Sequence, residues 1–190
     1  TQSINAIAED NKNIIWIGTN NGLVKVQNNS SKIKYYQSVK SEKYNTKNHF
    51  TDILIEQDTI WLASFGHGLC KFNIKEEAFE YISLKKASDP KEFTNAVYTI
   101  AMTKDRTIWC GMKGHSDIGG IVILNLKSNR MVRQIFNPKK EYSLGPYEYW
   151  VNDIFIDNSE TIWSANRVGP IDRIIPERNQ IKYIYYNDIK

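Results

Sequence analysis

Apolar and polar positions along the chain form a unit that recurs four times. Its anchor is an Ile-Trp pair, at Ile15-Trp16, Ile60-Trp61, Ile108-Trp109 and Ile162-Trp163, and the tryptophans stand 45, 48 and 54 residues apart. Nine and twelve positions before the tryptophan lies a second apolar pair, Ile7 and Ile4, Ile100 and Val97, or Ile154 and Val151. In the second unit the pair, Ile53 and Phe50, stands eight and eleven before, so one residue is missing from the turn between them and the tryptophan. Those turns run from Glu9 to Asn13, Glu56 to Asp58, Thr103 to Arg106 and Asp157 to Glu160. They are rich in Asp, Asn and Glu, and Asp and Asn favour tight hairpins because their side chains bond the local backbone. Beyond the tryptophan a polar stretch leads to a glycine and a third apolar run: Gly22-Leu23-Val24, Gly68-Leu69-Cys70, Gly120-Ile121-Val122 and Gly169-Pro170-Ile171. A fourth, more polar segment follows, at Ile33–Tyr36, Phe79–Ile82, Met131–Phe136 and Ile181–Tyr186.

Each unit of about 45 to 50 residues therefore reads as four short antiparallel strands without helical periodicity, the size and content of a propeller blade. The predicted architecture is all-β: a β-propeller segment of four blades of four antiparallel strands, at approximately residues 1–40, 48–84, 95–137 and 149–187. Neither the Trp-Asp nor the kelch signature is present; no tryptophan is followed by Asp, and Gly66-His67 occurs once, out of place. The second strand is apolar at consecutive positions, as in Ile15-Trp16-Ile17, which predicts cover on both faces from neighbouring blades. The four repeated tryptophans are read as packing residues between blades rather than as a binding cage.

The pattern Val-x-x-Ile, acidic turn, Ile-Trp-x-Gly-Thr-x-x-Gly-Leu resembles the two-component regulator propeller repeat. Residues 4–26, with Asp10, Ile15-Trp16-Ile17-Gly18-Thr19 and Gly22-Leu23, are close to that consensus. The next units depart from it, with Ala63-Ser64 and Gly111-Met112 in place of Gly-Thr, and the fourth departs further, with Ser164-Ala165 and Gly169-Pro170. The link from Tyr142-Ser143-Leu144 to Ile154 also resembles the family's inter-blade loop. The resemblance implies a periplasmic sensor region of a hybrid two-component histidine kinase, in which such repeats build larger propellers of about seven blades. The chain is then expected to be an excerpt, with the kinase elsewhere. It starts at Thr1 without a basic n-region or an apolar signal core, so any targeting segment is expected to have been removed or to lie outside it.

Composition narrows the function classes. With 190 residues, 41% of them hydrophobic and 12% aromatic, the chain can bury a sizeable core, and disorder is excluded. No window holds the roughly 18 to 20 apolar residues of a membrane-spanning helix, so no membrane contact is expected of this segment. The net charge of +4 comes from lysines scattered through the connecting segments, such as Lys40, Lys43, Lys85 and Lys139, which reads as a solvated rim and not as a nucleic-acid surface. Cys70 and Cys110 sit inside apolar runs of different units, as small buried side chains rather than a bridge.

No catalytic constellation, metal site or cofactor motif is expected. His49, His67 and His115 lack metal-ligand spacing, and no nucleophile elbow or phosphate-cradling loop occurs. The acidic residues fall mainly in hairpin turns, where capping is a simpler role than paired-carboxylate catalysis.

Strand parity locates a candidate ligand-binding face. In an up-and-down blade the loop between the second and third strands and the link to the next blade emerge on one side. That side should carry His67, Lys113, His115, Asn166 and Arg167 on the loops, the third loop being the expanded Met112–Gly119, and Tyr147, Tyr149 and Trp150 on a link. Trp150 is the fifth tryptophan and breaks the repeat rule. The alternative for this cluster is that Trp150 plugs a blade junction while the tyrosines cover the link. The expected function is a ligand-sensing module that binds an oligosaccharide or other small ligand, as the resemblance implies, and signals to a kinase. Its alternatives are a protein-interaction scaffold or a propeller-type carbohydrate-active enzyme. A homodimer formed through the parent sensor is a further outcome the resemblance allows.

Overall fold

The computed structural model describes residues 3–27, 32–38, 48–84, 95–115, 118–134, 150–167, 170–175 and 180–184. The repeat becomes four antiparallel sheets, each with its four strands hydrogen-bonded in chain order. The first holds β1 (Ile4–Glu9), β2 (Ile14–Thr19), β3 (Gly22–Gln27) and β4 (Ile33–Tyr36), and the second β5 (Phe50–Glu56), β6 (Thr59–Ser64), β7 (Gly68–Asn73) and β8 (Ala78–Ile82). The third holds β9 (Val97–Met102), β10 (Thr107–His115), β11 (Ile118–Asn125) and β12 (Arg130–Gln134), and the fourth β13 (Val151–Ile156), β14 (Ile162–Asn166), β15 (Ile171–Ile175) and β16 (Gln180–Ile184). Two compact units emerge: the first and second sheets with Asn95–Val97, and the third sheet from Tyr98 onward with the fourth.

The first hairpin of each sheet explains why acidic residues recur before the tryptophan. Asn13, Arg106 and Glu160 take φ of 58°, 66° and 60°, and their N–H groups donate to the carbonyls of Asp10, Thr103 and Asp157 at 3.0, 2.9 and 2.9 Å. The Asp10 carboxylate accepts from Lys12 N (2.9 Å) and Ile14 N (3.1 Å) and also from the Trp16 indole N–H (2.9 Å). Asp157 repeats all three bonds with Ser159, Thr161 and the Trp163 indole. In the second sheet the turn is one residue shorter, and the longer Glu56 side chain reaches the Trp61 indole at 3.2 Å. Thr103 occupies the acidic position in the third sheet, and the buried Trp109 indole N–H has no hydrogen-bond partner.

Each unit has its own core. In the first, Trp16 lies against Tyr36 and Phe72 (ring centroids 6.0 and 5.8 Å), with Phe50, Ile60 and Leu62 completing the cluster. In the second, Trp109 and Ile121 of the third sheet pack on Val151, Ile154, Ile162 and Ile174 of the fourth. This packing requires a glycine at Gly111. A Cβ there would stand 2.6 Å from Thr99 Cγ2 and 2.8 Å from Val151 Cγ1. Gly111→Ala should therefore cost about 2 kcal/mol by overpacking, read as a lowered midpoint of urea denaturation. An unchanged midpoint would contradict this close approach.

Burial on both faces of the second strand holds for β6 and β10, where Ile60–Ser64 and Ile108–Met112 are buried without a break. In β2 and β14 it does not hold. Ile15 and Ile17 are half-buried, and Trp163 is half-buried where Trp16, Trp61 and Trp109 are 0, 4 and 4% exposed. Phe155, the cross-strand neighbour of Trp163 on the same face, is 64% exposed.

The expanded loop expected at Met112–Gly119 is for the most part strand. β10 and β11 continue as a ribbon in which Met112 pairs with Gly120 and His115 with Ile118, with a bulge between them. Glycines at 114 and 119 suit the bulge because they tolerate dihedrals that other residues resist. The ends expected of the fourth strands, Ile135-Phe136 and Tyr185-Tyr186, lie outside the described residues. Cys70 and Cys110 are unbridged and buried, and burial pushes both thiols up to about 12, so neither is a reactive thiolate.

Candidate functional site

The β10–β11 ribbon brings Lys113 beside Trp150, and the two form an isolated antiparallel bridge. Trp150 immediately precedes β13, whose first residue Val151 pairs with Asn166 at the end of β14. The next backbone N–H, that of Arg167, donates to the Trp150 carbonyl at 3.0 Å. Three segments distant in sequence thus converge on one half-buried indole.

Two cations lie at this ring. Lys113 Nζ is 4.4 Å and the Arg167 guanidinium carbon 4.5 Å from its centroid. Both distances are within cation–π range, which holds the charges in place on the electron-rich ring. Tyr98 meets the ring edge-on at 5.8 Å and 64°. Arg167 is exposed, and no carboxylate pairs with it among the described residues.

Two polar atoms of these segments remain unpaired. The Trp150 indole N–H and the Asn166 amide oxygen are buried without hydrogen-bond partners. Asn166 is held by donating to Pro170 O (3.2 Å) and Asp172 Oδ2 (2.9 Å). Asp172 is fully buried and also accepts from Ser164 Oγ at 2.8 Å. Asn166 pairs with Val151, the residue after Trp150, so the orphan donor and the orphan acceptor belong to adjoining strands, and a hydroxyl, which can both donate and accept, would satisfy either.

Lys113, Asn166, Arg167 and Trp150 are therefore brought together in the second unit. Tyr147 and Tyr149 lie outside the described residues, as does the side chain of His115. His67 belongs to the first unit, where its ring meets Tyr81 edge-on at 6.2 Å and the Tyr81 hydroxyl bonds Ser38 Oγ at 2.8 Å. His49, not predicted as a site residue, stacks on Phe65 at 5.0 Å, and burial holds its pKa below the ordinary histidine value. Tyr98 and Asp172 are the contributors to the Trp150 cluster that sequence reasoning missed. Both lie inside strands, with no loop signal to mark them. Among the described residues no group of three or more His, Cys, Asp or Glu could hold a metal ion.

The two-component regulator propeller family matches the chain over residues 1–21. The chain is also similar in structure to the extracellular domain of BT3049 from B. thetaiotaomicron, described as a hybrid two component system, at 16% identity and a TM-score of 0.73 over 96% of this chain and 24% of that one. A second similar structure is the extracellular domain of BT4673 from the same organism, described as a one component system, at 17% identity and a TM-score of 0.73 over 100% of this chain and 26% of that one. The WD40 repeats of RRP9 match at 11% identity and a TM-score of 0.70, over 97% of this chain and 52% of that one. No curated protein matches the chain in sequence. These likenesses establish the propeller fold. The chain spans about a quarter of the length of the two extracellular domains.

Proposed function

We propose that the chain is a ligand-recognising propeller segment of an extracellular or periplasmic sensor, and that the Trp150 cluster binds an oligosaccharide. The observation that carries this reading is the pairing of two cations at one indole whose own buried N–H is unpaired, with an unpaired buried acceptor, Asn166 Oδ1, on the adjoining strand. Sugar hydroxyls supply both missing hydrogen-bond roles, and Lys113 and Arg167 favour a sugar that carries a carboxylate or sulfate. Trp150 acts here as the platform that holds the cations, rather than as a bare ring that stacks on a pyranose. Signalling passes in this reading to a kinase elsewhere in the protein, and the segment itself performs no chemistry.

A panel of neutral and acidic oligosaccharides titrated calorimetrically tests it. Arg167→Ala should weaken the best acidic ligand by about ten- to a hundredfold, as expected when a charge-assisted hydrogen bond worth roughly 1.5 to 3 kcal/mol is lost. Trp150→Ala should weaken it further, because the platform goes with the ring. Arg167 is exposed, so its replacement should leave the melting temperature nearly unchanged. Binding that survives in both variants would place the ligand elsewhere.

A further inference from the structure

Register runs from Trp16 to Lys25 to Lys34 straight across β2, β3 and β4, and residues directly opposite in an antiparallel pair share a face. This is the face of the first sheet that packs on the second, through Trp16 and Tyr36 against Phe72. Lys25 and Lys34 are therefore like charges set side by side, an arrangement that by itself opposes strand pairing. Gln27 lies on the same face, two residues on from Lys25, and its N–H donates to the carbonyl of Lys32 at 3.5 Å. A pocket of about 550 Å³ opens here, lined by Lys25, Gln27, Lys32, Ile33 and Lys34.

The corresponding pair in other sheets is built differently. In the second sheet Lys71 stands opposite Glu80, and the two form an ion pair at 3.6 Å. In the third the residues are Ile123 and Val132. The fourth sets Arg173 opposite Lys182, whose side chain lies outside the described residues. In the first sheet both lysines are held in place. Lys25 Nζ lies 5.4 Å from the centroid of the Trp16 ring and Lys34 Nζ 5.0 Å from that of Tyr36, within cation–π range. Glu77, in the turn between β7 and β8, accepts from Lys34 Nζ at 2.6 and 2.5 Å and from the Tyr36 hydroxyl at 3.0 Å. The Lys34 bond above all, then that of Tyr36, holds the Glu77 carboxyl below its ordinary value. Among the described residues no carboxylate forms an ion pair with Lys25 or Lys32, so one carboxylate answers three ammonium groups.

We propose that this pocket binds a phosphate monoester, its oxyanion seated between Lys25, Lys32 and Lys34. Two cations without a carboxylate suit a group that carries about −1.5 to −2 at neutral pH. A sulfate ester, with its single charge, suits them less well. The pocket is also larger than a phosphate group alone, and Ile33 offers apolar contact to whatever carries the phosphate. The cations that the rings hold need little further ordering when an anion arrives. The inference is independent of the Trp150 cluster, which belongs to the second unit.

Calorimetric titration of the whole chain in low-salt buffer tests it, with glucose 6-phosphate, glucose 6-sulfate, inorganic phosphate and glucose as probes. Glucose 6-phosphate should bind, glucose should not, and the sulfate ester and inorganic phosphate should bind several-fold more weakly. Lys32 is exposed, so Lys32→Gln should fold normally and weaken the phosphate ester about tenfold, the lower end of what losing a hydrogen bond to a charged group produces. Lys25→Gln should do the same, with an unchanged circular dichroism melt as its control, and the double variant should show no binding. Arg167→Ala should bind the phosphate ester as the parent does. Absence of binding by the parent would overturn the proposal, as would lysine variants that match it. Loss of binding in Arg167→Ala alone would move the anion to the Trp150 cluster. Inorganic phosphate or the sulfate ester binding as tightly as glucose 6-phosphate would overturn the choice of a phosphate monoester.

Discussion

Trp16→Ala should lower folding stability by about 3 to 5 kcal/mol, the cost of removing a large, fully buried aromatic side chain. Trp16 is 0% exposed and lies between the rings of Tyr36 and Phe72, so its loss leaves a cavity lined by side chains from two sheets. The same change also strips the Asp10 carboxylate of its indole donor. Trp163→Ala is the informative contrast. It removes the same residue from the same place in the repeat and the same bond to an aspartate, but the ring is half-buried and its face carries the exposed Phe155 and Ile171. Its cost should be well under that of Trp16→Ala. Urea denaturation of the two variants beside the parent chain measures the difference, and equal losses would mean that Trp163 is covered in solution.

Why one tryptophan should matter more than another could not be read from the repeat, because the sequence around each is nearly the same. Burial depends on what lies across the sheet, and Ile7 and Ile154 are the same residue type with opposite exposure. The strands themselves were legible because four copies of one pattern fix the period, and a pattern of twos and turns leaves little choice between strand and helix. Registers that need three distant segments were not. Trp150 stood out only as the tryptophan that breaks the repeat. The cations at its ring depend on a ribbon that runs through Met112–His115, where glycine and polar residues read as loop. The indole bonds to Asp10 and Asp157 were hidden for another reason: a hairpin places residues six apart side by side, and turn chemistry alone already accounts for an aspartate there.

That aspartate should make the first sheet sensitive to acid. Asp10 is 7% exposed, and burial pushes its carboxyl up; hydrogen bonds from the Trp16 indole and the backbones of Ile14 and Lys12 outweigh this and hold it below the ordinary carboxylate value. A group whose folded pKa is depressed stabilises the fold fully above its unfolded value, near ~4, and loses that contribution as pH falls through the folded pKa. Asp10→Ala should therefore cost about 3 kcal/mol at neutral pH, since it removes an acceptor from three donors, each bond to a charged group being worth roughly 1.5 to 3 kcal/mol and the three sharing one turn. At acid pH the gap between parent and variant should close. Asp10→Asn keeps one acceptor oxygen but turns the other position into a donor facing donors, so it should fall between the two and show no such pH dependence. Asp157, held low chiefly by the Trp163 indole, should shift in the same direction. Denaturation midpoints for the parent and both Asp10 variants, taken from neutral pH down through the carboxylate range, give the answer. Curves that stay parallel would show that Asp10 titrates alike in the folded and unfolded chain, and the three bonds would then not be what holds the turn.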